Sequence, residues 1–135
     1  MMTRGLLLGA ALAIAACSTT GAARSFDDLA VQKLFTQSTP MYYADLSLAN
    51  QISQSCARYN YDAALDLELN EARNEVGRGS LSAISQRAAI EIETDVGKRS
   101  FEVRHGVEIG ADDLCAAGDA ETLEGSALSA LLIPV

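Results

Sequence analysis

Positive charge is scarce in this chain. Ten Lys+Arg stand against 18 Asp+Glu, a formal net charge of −8, and one of the ten, Arg4, lies in an apolar leader. Lysine occurs only at Lys33 and Lys98. Such a surface repels phosphate backbones and anionic headgroups, so neither nucleic-acid binding nor a basic membrane-binding patch is expected. Histidine is scarcer still, with His105 alone. Serines are plentiful, yet none sits in a G-x-S-x-G elbow or an S-x-x-K sequence. Gly77-Arg78-Gly79-Ser80 lacks the spacing of a phosphate loop. Neither an internal repeat nor a low-complexity tract is present. At 135 residues the length implies one domain.

What the chain does have begins with an address. Gly5 to Ala16 form an apolar run preceded by Arg4 and closed by small residues, the pattern of an export signal. At 12 residues it is too short to span a bilayer, which takes roughly 20, and it is set aside from the fold. Three cysteines follow, Cys17, Cys56 and Cys115, an odd count for an exported chain. Ile14-Ala15-Ala16-Cys17 resembles the lipobox of bacterial lipoproteins, in which an aliphatic residue and two small ones precede an obligatory cysteine. The resemblance implies that the Cys17 sulfur carries a diacylglycerol, that residues 1–16 are removed and that the new amine is acylated. Several acyl chains at about 0.8 kcal/mol per buried CH₂ form a lasting anchor. The competing reading is a secretory signal cut after Ala15 or Ala23. It would leave Cys17 as an odd thiol or discard it.

With Cys17 lipidated, Cys56 and Cys115 remain as an even pair in an oxidising compartment; two buried free thiols are the alternative. Lipoproteins of two-membrane envelopes that stay at the inner membrane tend to carry an aspartate after the lipidated cysteine. Ser18 at that position implies the outer membrane, facing the periplasm. Residues 17–24 then form the lipidated cysteine and a small, polar tether. The seven residues from Ser18 reach at most about 23 Å.

From Ser25 the pattern is helical. Ser25 is a candidate N-cap for a helix from Phe26 to about Thr36, with Asp27 and Asp28 in its first turn, ending before Pro40. A second helix is expected over Tyr42 to Arg58, with Leu48, Ile52 and Cys56 on one face. Asn60 or Asp62 caps a third, in which Leu65, Leu69, Ala72 and Val76 recur before Gly77 and Gly79. Ser80 starts a fourth, with Leu81, Ile84, Ala88, Ile92 and Val96 as its buried stripe and Arg87–Glu91 and Asp95–Arg99 as i,i+4 pairs. Within it, residues 90–93 and 101–104 also alternate with period two, so a hairpin turning at Gly97 is the alternative for 89–109. Gly106 ends that element. Asp112 or Asp113 opens a short helix carrying Cys115, and Ser126 caps a last one through Leu128, Leu131 and Leu132, stopped by Pro134. The expected fold of residues 25–135 is an all-α bundle of about five helices with one disulfide, or α+β if the hairpin forms.

Leu48-Ala49-x-x-Ile52-x-x-x-Cys56, His105-Gly106-Val107, Leu114-Cys115-Ala116-Ala117-Gly118-Asp119-Ala120-Glu121, Gly125-Ser126 and Leu131 are similar to a small family of exported alphaproteobacterial proteins of unknown function. This resemblance implies a compact helical domain with its two cysteines paired, and it implies no activity.

Candidate sites are few. His105 beside Gly106 reads as a helix-end cap or a surface residue. Glu68, Glu71 and Glu75, with Asp62 and Asp66 before them, share a helical face but no calcium-type loop surrounds them, so a solvated face is expected. Asp112-Asp113 reads as a helix start. Tyr42, Tyr43, Tyr59 and Tyr61 suit either an interface or the packing of two helices, and junction packing is favoured. No catalytic residue, metal site or cofactor is expected. The functional expectation is a non-enzymatic envelope module, anchored through lipid on Cys17 and binding another envelope protein; a small periplasmic hydrolase or ligand carrier is the alternative.

Overall fold

The computed structural model describes residues 22–135; the leader, Cys17 and Ser18 lie outside them. Asp28 opens the first helix. Its carboxylate accepts from the N–H groups of Ala30 and Val31, and α1 runs Leu29–Thr36. The cap is thus Asp28 rather than Ser25, and Phe26 instead lies edge-on against Phe35, with ring centroids 6.1 Å apart. The first helix ends before Pro40 as expected, and Pro40 stands at the start of the next one. α2 spans Thr39–Ser55 with the proline in its first turn, where a backbone N–H has no helical acceptor to lose.

α2 is the central element. Leu48, Ala49, Ile52 and then Cys56 are buried along it. Around it pack Val31 and Leu34 of α1, then Leu65, Leu69, Phe101 and Leu131 from later in the chain. Asp62 caps α3, Ala63–Glu75, accepting from the Leu65 N–H at 3.0 Å. The last residue of the expected third stripe, Val76, lies beyond the helix and is largely exposed.

The fourth segment divides at Gln86 into α4, Ser80–Ser85, and α5, Arg87–His105. No hairpin forms over 89–109, because α5 runs helically through Gly97 and stops at Gly106 in the left-handed conformation (φ 63°). The helix is as expected; its orientation is not. Leu81, Ile84, Ala88, Ile92 and Val96 are exposed rather than buried. The face turned to α2 carries Gly97 and Phe101 instead. A Cβ on Gly97 would sit 3.6 Å from that of Ala44, so the helices approach through a small–small contact that apolar periodicity cannot register.

α6 covers Cys115–Glu124. Asp113, one residue before Leu114, accepts from the Cys115 N–H at 2.7 Å. After it the expected helix from Ser126 is replaced by a 3-10 turn, Leu128–Leu131, and a strand β2, Leu132–Pro134. β2 pairs antiparallel with β1, Tyr59–Tyr61, in the register Tyr59 to Pro134 and Tyr61 to Leu132. Pro134 is therefore a strand residue rather than a helix stop; at the edge of a two-stranded ladder its missing N–H is tolerated. Asp62 N–H to Leu131 O (2.8 Å) and Val135 N–H to Arg58 O (3.0 Å) extend the pairing at both ends. The described chain is a bundle of six α-helices with one small ladder and one disulfide.

Candidate interaction surface

Cys56 and Cys115 are bonded, with Cα atoms 5.0 Å apart and 59 residues between them in sequence. The bond joins the end of α2 to the start of α6. The Asp113 carboxylate lies within 4.8 Å of both sulfurs, yet the sulfurs are joined to each other and offer no thiolate. Glu68, Glu71 and Glu75 are exposed on α3 and belong to no metal-ligand cluster among the described residues. Gly77 turns with φ 75° after α3, and Ser80 donates its backbone N–H to Asn74 Oδ1 at 2.9 Å.

His105 is neither a surface residue nor a simple cap. It closes α5 with its ring against Phe101 (4.6 Å), and its Nε2 lies 2.7 Å from Glu121 Oε1. Arg104 reaches the same carboxylate oxygen. Glu121 is buried. Burial would raise its pKa, but the surrounding Ser126, His105 and Arg104 outweigh that and hold the carboxyl below its usual value. Asp45 on α2, bonded to Gln37 Nε2 at 2.7 Å, goes the other way. Burial first, and then the Glu121 charge, push it up to about 6. Sequence spacing could not reveal this cluster, because Glu121 reads as one more surface acid until α6 is folded against α5.

The tyrosines pack at junctions. Tyr42 meets Tyr43 edge-on at 5.3 Å. The hydroxyls of Tyr42 and Tyr61 both donate to Asp66, at 3.2 and 2.9 Å, so one carboxylate of α3 receives α2 and β1. Burial leads the rise in both phenol pKa values, with Asp66 adding to it. Tyr59 donates to Asp119 at 2.6 Å, which Arg58 also grips with both terminal nitrogens. Beneath Tyr42 lies Arg73, buried, its guanidinium 4.2 Å from the ring centroid. It donates to the carbonyls of Phe35 (2.7 Å) and Gln37 (3.0 Å) at the negative end of α1.

Two grooves open on the surface. One, of about 330 Å³, is lined by Thr36, Ser38, Thr39, Arg78, Ser82 and Gln86. The other, of about 460 Å³, lies between the end of α2 and residues 110–113. Neither lining holds a large apolar or aromatic side chain, whereas small-molecule pockets are predominantly lined by them. The apolar surface lies elsewhere. Ile92, Val96 and Val103 of α5 are 65, 51 and 85 % exposed, and Leu81 and Ile84 of α4 precede them at 82 and 73 %. Large apolar side chains are also exposed on other elements, among them Leu29, Leu67 and Leu123; the row on α5 is the longest on any one described helix and is the candidate site. Comparison of the chain with protein-family models, curated proteins and solved structures finds no match.

Proposed function

We propose that the chain is a lipid-anchored protein of the cell envelope, held at the outer membrane by acyl groups on Cys17 and facing the periplasm, that acts by holding another envelope protein rather than by catalysis. The row of exposed apolar side chains on α5 carries this reading. A domain of about 110 residues has little apolar surface to leave outside its core, and contiguous exposed apolar faces mark interaction sites. The Cys56–Cys115 bond supports an exported setting. The lipobox supports the anchor, and Ser18 after it the outer membrane. Ala23 donates its N–H to Asp62 at 2.8 Å, so a chain anchored at Cys17 can stand off by at most about 20 Å between those two residues.

A photoreactive residue at Val96 of the full chain, in its native membrane, is expected to crosslink to a second protein. The same residue at Glu68 on α3 is expected not to. Cys17→Ser is expected to release the chain to the soluble fraction. Equal crosslinking at both positions, or a Cys17→Ser variant that still pellets with membranes after a salt wash, would overturn the proposal.

A further inference from the structure

The outward face of α5 has finer structure than a patch. Ala89, Ile92, Val96, Arg99 and Val103 are all exposed and follow one another in alternating steps of three and four. That is the a/d seam of a coiled coil, carried on the side of the helix opposite the Gly97–Phe101 face that meets α2. Leu, Ile or Val in such a seam ordinarily insert between side chains of a facing helix. The seam covers 15 residues, about 22 Å of helix.

The positions flanking a seam set partner choice. Here they are Ala88, Asp95 and Glu102 on one side and Glu93 and Ser100 on the other. All the charge is negative. The cations of the helix are engaged or turned away. Arg87 pairs with Glu91 at 3.5 Å and Arg104 with Glu121, while Lys98 lies beyond the acidic flank. The cation inside the seam is Arg99, and among the described residues it forms no salt bridge. Its expected i,i+4 partner, Asp95, is not within ion-pair distance.

These charges decide the occupant. A second copy laid antiparallel would set Asp95 and Glu102 against the same acids, and a parallel copy would stack Arg99 on Arg99. Like charges directly opposed disfavour such a pairing. We propose that the α5 seam receives an amphipathic helix of another protein, with aliphatic residues along its own seam, Lys or Arg on its flanks and a carboxylate placed to meet Arg99. This rests on the interaction role above and specifies the chemistry of the partner.

Two synthetic helical peptides test it, identical in a Leu/Ile seam but flanked by lysine in one and glutamate in the other. They are titrated onto the lipidated chain in nanodiscs of zwitterionic lipid. The lysine-flanked peptide is expected to bind at least tenfold tighter, with the margin shrinking as salt rises. Ile92→Asp, at an exposed position and with an unchanged melting temperature, should weaken that binding at least tenfold. Glu93→Lys combined with Asp95→Lys should reverse the preference. Equal affinity for the two peptides, or indifference to Ile92→Asp, would overturn the inference. So would a dimer in sedimentation that Ile92→Asp dissolves, since a second copy would then fill the seam. If the peptides are not distinguished while Val96 still crosslinks in membranes, only the basic-helix partner fails and the interaction role stands.

Discussion

Gly97 and Gly118 both lie inside helices, and replacing each by alanine should move stability in opposite directions. At Gly97 the new methyl would make an ordinary contact with Ala44, 3.6 Å away, while the helix gains by losing a glycine. Gly97→Ala is expected to stabilise by roughly 0.5–1 kcal/mol. At Gly118 the methyl would lie 2.9 Å from Tyr59 Cε2 and 3.0 Å from Ile52 Cγ2. There α6 must approach α2 and β1 closely, and Gly118→Ala should cost roughly 1–3 kcal/mol; urea titration of both variants reads the signs. Asp45 gives a pH signature. Its folded pKa, about 6, lies above the ordinary carboxylate value, so any stability it contributes is full below about 4 and is lost as pH rises through 6. Glu121, held below its usual value, has the opposite dependence: its contribution is present at neutral pH and is lost on acidification. Asp45→Asn keeps an acceptor for Gln37 without the buried charge. It is expected to stabilise by about 1–2 kcal/mol at pH 8 and by nothing at pH 4, which thermal melts across that range will show.

Among the elements, the disulfide has the largest expected effect. Closing a loop of this length is assigned about 4 kcal/mol in the chain-entropy model. Cys56→Ala with Cys115→Ala should therefore lower the melting temperature by roughly 10–20 °C. An unshifted melt would show that the short C-terminal elements hold without it. Helices with strong local signals were legible in the sequence. Asp62 as a cap, Gly106 as a stop and Cys115 on a short helix all lie where their local chemistry puts them. Less legible were features decided by a distant partner. Ser126 and three leucines read as a helix, but Leu132 to Pro134 pair with Tyr59 to Tyr61, and a three-residue strand has no periodicity to detect. Around Gly97 the alternation offers a hairpin as the alternative, and the helix expected there forms. The apolar stripe through Ile92 and Val96 is legible in the sequence, but it faces outward rather than into the core. Periodicity locates a stripe; it does not say which neighbour, if any, covers it. The candidate surface was therefore visible as residues and invisible as a surface.

At the scale of the whole molecule, the chain returns late to where it began. Leu128, Leu131 and Leu132 are buried in one core with Val31, Leu34 and Ile52, and Leu131 O receives the N–H of Asp62. A chain ending before Leu128 would leave that core open on one side. Such a truncation is expected to lose its cooperative melt and to be degraded by trypsin at concentrations the full chain resists; a truncated form with a sharp transition would contradict this. The same lateness bears on timing. Synthesis supplies residues in order, and a channel that passes only unfolded polypeptide admits them in order. Helices 1 to 3 alone cannot close the interior, so the portion already made stays pliant while the remainder is being made. Cys115, the partner of Cys56, also arrives only after those three helices. On the export reading proposed above, the chain carries its own delay, set by where along it the final piece of its interior is encoded.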